Sequence, residues 1–148
     1  MGAAFAPAWG VDWAWGLLLI LITVVFHSHS LGLIGKEIHS KLEDTGRLGH
    51  LRSSATFIIG GTALSVTVLH AIEGFIWAGT YFLLGALPDI KSAILYSLNA
   101  MTSYGHANLF LAPRWEMMGA LEALNGWILF GVTTAFLFTV IQKAWSQT

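Results

Sequence analysis

Apolar positions dominate three stretches of the chain and thin out between them. The first runs from about Val11 to Ile34, with a near-unbroken block from Trp15 to Phe26. The second runs from about Ala55 to Ala86, and the third from about Met117 to Trp145. No proline interrupts any of them. A helix of roughly 20 apolar residues crosses the hydrocarbon core of a bilayer, and longer helices tilt or extend into water. The pattern predicts three membrane-spanning helices. Polar residues cluster in the loop Lys36 to Arg52 and again within Leu87 to Trp115.

The segment Leu87 to Trp115 breaks the spanning pattern. Pro88 and Asp89 form a helix-start signal: proline fits the first turn, and aspartate favours the positive end of the helix dipole. From Pro88 to Met101 the residues suit a helix of about three and a half turns. An apolar helix that short is typical of a re-entrant segment. It is followed by small and polar residues, within the stretch Asn99-Ala100-Met101-Thr102-Ser103-Tyr104-Gly105-His106-Ala107-Asn108. The chain then returns to the same side by Arg114. The expected layout is all-α: helix, helix, short re-entrant helix, small-residue loop, helix.

Composition agrees with a lipid environment. The chain has 148 residues, of which 55% are hydrophobic and only 10% charged. A soluble domain carries about 25% charge. The formal net charge of -1 argues against a nucleic-acid partner. There is no cysteine, which removes disulfides, thiolate metal sites and cysteine nucleophiles. The N-terminus lacks the basic region of a signal peptide, so the first apolar run is expected in the mature protein. Gly2 lacks the Ser or Thr that a myristoylation motif requires.

Charge also sets the expected orientation. Lys36, Lys41, Arg47, Arg52 and Lys143 fall on one side of the predicted membrane; Lys91 and Arg114 fall on the other. The positive-inside bias puts the basic loop and C-terminus in the cytoplasm and the N-terminus outside. Trp9, Trp13, Trp15, Trp115 and Trp145 lie near predicted span ends, as interfacial aromatics do.

Bare backbone at membrane depth is tolerated only where it is buried in protein or lines an aqueous path. A re-entrant helix entering from outside points its C-terminus, with partial negative charge, toward the membrane centre, and that end favours a cation. The loop that follows offers carbonyls as ligands, and rings of such carbonyls replace an ion's water shell. One chain supplies one loop, so a homotetramer around a central axis is expected. Its permeant ion would be a monovalent cation, K+ or Na+, with no other cofactor.

From about Trp77 onward the chain resembles the pore module of the tetrameric potassium-channel superfamily. The residues that carry the resemblance are Ala93-Ile94-Leu95-Tyr96-Ser97-Leu98-Asn99-Ala100-Met101-Thr102, the loop, Pro113-Arg114-Trp115, Leu121-Glu122-Ala123-Leu124-Asn125-Gly126 and Leu129-Phe130-Gly131. Small bacterial members carry similar text around a T-T-x-G-Y-G-D filter. The resemblance covers about half the chain; it implies outer helix, pore helix, filter and inner helix over 53–148. Residues 1–52, an N-terminal transmembrane helix and basic cytoplasmic loop, lie outside it. It also implies an ion channel of the bacterial-type inner (plasma) membrane. No nucleophile–base pair or metal-ligand set of useful spacing appears in the sequence, so no enzyme is expected.

The implied selectivity filter is Thr102, Ser103, Tyr104, Gly105, His106, Ala107 and Asn108. Matching Tyr104-Gly105 to the family's Tyr-Gly shifts the loop by two residues. Counting without a gap from Thr102 to Arg114-Trp115 keeps the return path. In that register Ser103 takes the innermost threonine position, Tyr104 the aliphatic position and Gly105 the first glycine. His106 replaces the aromatic, Ala107 the second glycine, and Asn108 the acidic residue. Carbonyl-out geometry uses positive φ at glycines, which costs a residue with a Cβ on the order of 1–2 kcal/mol. The expectation is therefore a cation pore of altered selectivity. Four copies of His106, with an unperturbed pKa of about 6.5, would ring the mouth and make conduction pH-dependent.

Several polar residues fall inside the spans. His70 and Glu73 sit at i and i+3 on one helix face, as struts behind the filter or as a self-satisfied pair. Two ligands are too few for a metal site. Glu122 and Asn125 repeat that spacing on the inner helix. Glu122 is expected to support the pore helix or a neighbouring subunit, and Asn125 to face the cavity; both also suit interhelical hydrogen bonding. Gly126 and Gly131 permit close packing or a hinge. His27 and His29 close the first helix. Two other classes compete: a non-conducting structural or regulatory subunit with this fold, and a haem protein using His27, His29 or His70. Haem needs two histidines at matching depth, whereas the span limits put His27 and His29 near the inner face and His70 farther out.

Overall fold

The computed structural model describes residues 9–48, 51–105 and 108–146. They form four α-helices and a short 3-10 turn: α1 (Trp9–Leu48), α2 (Leu51–Leu83), α3 (Ile90–Met101), the turn Pro113–Trp115, and α4 (Glu116–Ser146). Three stretches are long and apolar enough to cross a membrane, Gly10–Lys41, Ala55–Leu83 and Pro113–Ser146. Large apolar side chains such as Leu17, Leu21, Val25, Leu64 and Val68 are exposed along them. That surface suits lipid, and these helices suggest a membrane protein.

Helix limits differ from the hydropathy limits for local reasons. The expected loop Lys36 to Arg52 is mostly helical, because α1 continues to Leu48 and α2 begins at Leu51. Its residues are good helix formers, and Glu37 and Lys41 pair one turn apart at 3.2 Å. Ile38 is buried there against Ala55, Val140 and Ala144. The second helix stops three residues short of Ala86. Gly85 takes φ +64°, a left-handed conformation that costs glycine no Cβ clash. Its N–H donates to Phe82 O at 3.1 Å, and Ala86 N–H donates to Tyr81 O at 2.9 Å. This is a Schellman cap, which satisfies the last carbonyls of the helix.

Helices α1, α2 and α4 each contribute to two compact units. One unit comprises Met1–Val25 and Ala71–Ile128. Its core packs Leu19, Trp77, Tyr81, Tyr96, Met118 and Leu121 with Ala86, Leu87, Leu111 and Trp115. Tyr81 and Tyr96 meet edge to face, 5.5 Å between ring centres. Trp115 is buried in this core, with the Arg114 guanidinium 4.9 Å from its ring. Ala112 N–H donates to Ala86 O at 3.0 Å, tying the departure of the α3 segment to its return.

The other unit comprises Phe26–His70 and Leu129–Thr148. Leu31, Val66 and Leu69 form one of its cores, with Ile34, Phe136 and Leu137 against them.

Candidate functional site: the segment around α3

The helix starts two residues later than expected: α3 begins at Ile90, Asp89 is its N-cap, and Pro88 lies ahead of the cap instead of in the first turn. Asp89 is extended, at φ -150° and ψ 158°, and its carboxylate accepts from the Ser92 backbone N–H at 2.9 Å. The Ser92 hydroxyl donates to the other carboxylate oxygen at 2.7 Å. These bonds, the backbone one first, hold the Asp89 carboxyl below the usual carboxylate range.

One face of α3 is buried: Ala93, Tyr96, Ser97, Ala100 and Met101, the spacing of a single helical stripe. Small residues let this stripe approach its neighbours. On α4, a Cβ at Gly119 would overlap the Tyr96 hydroxyl, and one at Gly126 would overlap the Met101 carbonyl. The two glycines are seven residues apart, so they share a face. On α2, Gly74 lies against Leu98, Met101 and Ser97.

Glu122 joins three helices. It is fully buried, accepts from the Tyr81 hydroxyl at 2.7 Å and is hydrogen-bonded to the Ser97 hydroxyl. Ser97 also bonds the Gly74 carbonyl at 2.7 Å. A buried carboxyl is costly unless hydrogen-bonded in this way. The polar residue therefore fixes α3 against α2 and α4.

At the far end, α3 closes with a second Schellman arrangement. Ser103 takes φ +54°; its N–H donates to Ala100 O at 3.0 Å, and Tyr104 N–H donates to Asn99 O at 3.0 Å. Serine at this left-handed position carries the Cβ cost that Gly85 avoids. The Thr102 hydroxyl turns back onto Leu98 O at 2.7 Å. Ser103 accepts a hydrogen bond from the Trp127 indole N–H at 3.0 Å. Tyr104 is 85% exposed, and Gly105 takes φ +94°. Asn108 is also left-handed, at φ +59°. His106 and Ala107 lie outside the described residues. Among the described residues, no donor reaches the backbone carbonyls of Thr102, Ser103, Tyr104 or Gly105.

Other expected site residues are placed differently. Asn125 is fully buried and its amide donates to Thr23 on α1 at 2.9 Å, so it binds α4 to α1. Thr23 accepts this bond while donating back to Leu19 O at 2.8 Å. At Gly131, unlike Gly126, no atom lies within 4 Å of where a Cβ would stand. Glu73 is fully buried.

His70 Nε2 lies 3.0 Å from the Thr133 hydroxyl, and its ring stacks on Phe130 at 4.5 Å. The same hydroxyl lies 3.0 Å from His27 Nε2, and the two imidazole rings are 5.1 Å apart. The expected difference in depth between His27 and His70 is thus corrected. Helix limits read from hydropathy put them on separate levels, whereas the long continuous helices align them. His29 is exposed.

Sequence reasoning missed Tyr81, Ser97, Thr23, Thr133 and Trp127. Ser97 carried a usable signal, as a hydroxyl on the apolar stripe of α3. The others look like ordinary span residues.

Comparison of the chain with protein-family models, with curated proteins and with solved structures finds no match to any of them.

Proposed function

We propose that this chain is one subunit of a potassium-channel-like cation pore, in which four copies present the Thr102–Asn108 loop to a shared axis. The observation that carries the reading is the exit from α3. A short helix, bound to two long apolar helices through Ser97 and Glu122, ends in an exposed loop whose carbonyls from Thr102 to Gly105 meet no donor among the described residues. A helix C-terminus and unclaimed carbonyls both favour a cation. Positive φ at Ser103 and Gly105, with Tyr104 between them, alternates the turn of the peptide planes along the loop. The apolar length of the three spans supports a bilayer setting. In this reading α3 is the re-entrant pore helix, the bilayer is a bacterial-type plasma membrane, and the C-terminus is cytoplasmic by the positive-inside bias.

Selectivity is altered from the potassium pattern, because His106 and Ala107 stand where an aromatic and a glycine belong. The permeant ion is a monovalent cation, K+ or Na+. The test is reconstitution of the full chain in liposomes, with K+ and Na+ on opposite sides. Cation flux with a measurable reversal potential is expected. A tetramer that inserts fully yet carries no current under either gradient would replace the pore with a non-conducting subunit of the same fold.

A further inference from the structure

We infer that Trp127 is a positioning residue that sets how strongly the Ser103 hydroxyl holds a permeant cation. The inference rests on the pore reading above and adds a selectivity determinant to it. Ser103 holds the innermost position of the proposed filter, and its hydroxyl is the one side-chain ligand that position offers. A serine oxygen has two lone pairs and one proton, and an indole N–H only donates. Trp127 Nε1 lies 3.0 Å from Ser103 Oγ, so one lone pair is engaged. The positive end of the N–H dipole therefore sits against the same oxygen that a cation would use. Indole and cation compete for one atom.

The backbones of both partners are fixed in place. Ser103 is pinned by the Ser103–Ala100 and Tyr104–Asn99 backbone bonds. Trp127 follows Gly126, whose backbone rests directly against the Met101 carbonyl. Two consecutive residues of α4 thus grip the end of α3 and the second loop residue. Trp127 is 69% exposed, so its ring is not held there by a surrounding core. Any displacement of α4 near Gly126 changes the load on Ser103.

Full-length protein in nanodiscs tests this with 15N-labelled indoles and with K+ titration followed by calorimetry. Trp127→Phe identifies the Trp127 indole resonance, which moves upfield in Ser103→Ala. Trp127→Phe tightens K+ binding about three- to tenfold, the equivalent of one released hydrogen bond. Its K+/Na+ permeability ratio in liposomes shifts with it. Trp127→Leu repeats the tightening, and Trp127→His, which keeps a ring N–H, stays near wild type. In a Ser103→Ala background Trp127→Phe has no further effect, whereas a merely structural role for the indole would persist there.

Three outcomes overturn the inference: an indole resonance indifferent to Ser103→Ala, unchanged K+ affinity in Trp127→Phe, or an undiminished Trp127→Phe effect in the Ser103→Ala background. Wild-type flux together with any of these overturns the inference alone. A wild-type chain with neither K+ binding nor flux overturns the pore reading, and this inference with it.

Discussion

At Gly126 one methyl group decides whether α3 can reach α4. A Cβ there overlaps the Met101 carbonyl, and backbone cannot move aside as a flexible side chain can. Gly126→Ala is expected to destabilise the protein by about 2 kcal/mol, within the usual range for overpacking. Gly131 has open space around it, so Gly131→Ala is expected to be neutral, or stabilising by up to about 1 kcal/mol through helix propensity. Denaturation of the two variants in mixed detergent measures the difference; equal losses would refute the packing role of Gly126. The spacing of Glu122 and Asn125 already marked them as polar residues inside a span. Their partners were not legible, because Tyr81 lies 41 residues from Glu122 and Thr23 lies 102 from Asn125. No local pattern encodes a pairing at that distance.

Among the elements, α3 was the most legible. A start near Pro88-Asp89 and an end near Met101 follow from local rules, a start signal and a stop where small polar residues begin, although Asp89 caps the helix and Pro88 falls outside it. The same rules misjudged the other ends. Gly85 halts α2 inside an apolar run, because apolar character does not reveal a left-handed residue. Charge was read as loop across Lys36 to Arg52, yet charged residues with i,i+4 pairing suit a helix.

The Asp89 cap makes a pH prediction. Its carboxyl is depressed in the folded state by the Ser92 N–H and hydroxyl. A depressed carboxyl adds stability above its unfolded value, and that contribution fades as pH falls through the folded one. Protection factors at Ala93 and Ile94, corrected for the intrinsic pH dependence of exchange, should therefore fall below the usual carboxylate range. Asp89→Ala should show low protection factors at all pH values, whereas a pH response of the protection factors that survives in Asp89→Ala would point to another group.

For the whole molecule, the pore reading turns on how many copies assemble. Tyr104, Phe110, Leu124 and Trp127 are exposed on a unit whose core is otherwise well filled. The pore reading covers part of this surface with neighbouring subunits. Native mass spectrometry from mild detergent is expected to give four times the 16.1 kDa chain mass. A stable monomer or dimer across detergents would contradict the shared axis.

The sequence by itself determined the helical class, the three apolar spans, the short capped helix between the second and third, and the polar interruption after it. These depend on dehydration and on local backbone rules, which operate over a few residues. Only the tertiary structure decided that Glu122 joins α3 to α2, that Asn125 turns to Thr23, and that His27 and His70 meet at Thr133, 106 and 63 residues away. It also brought the Trp127 indole to Ser103 in the loop. Helix formation sets where polar groups stand along an axis; which of them can share a proton depends on how closely the axes pack.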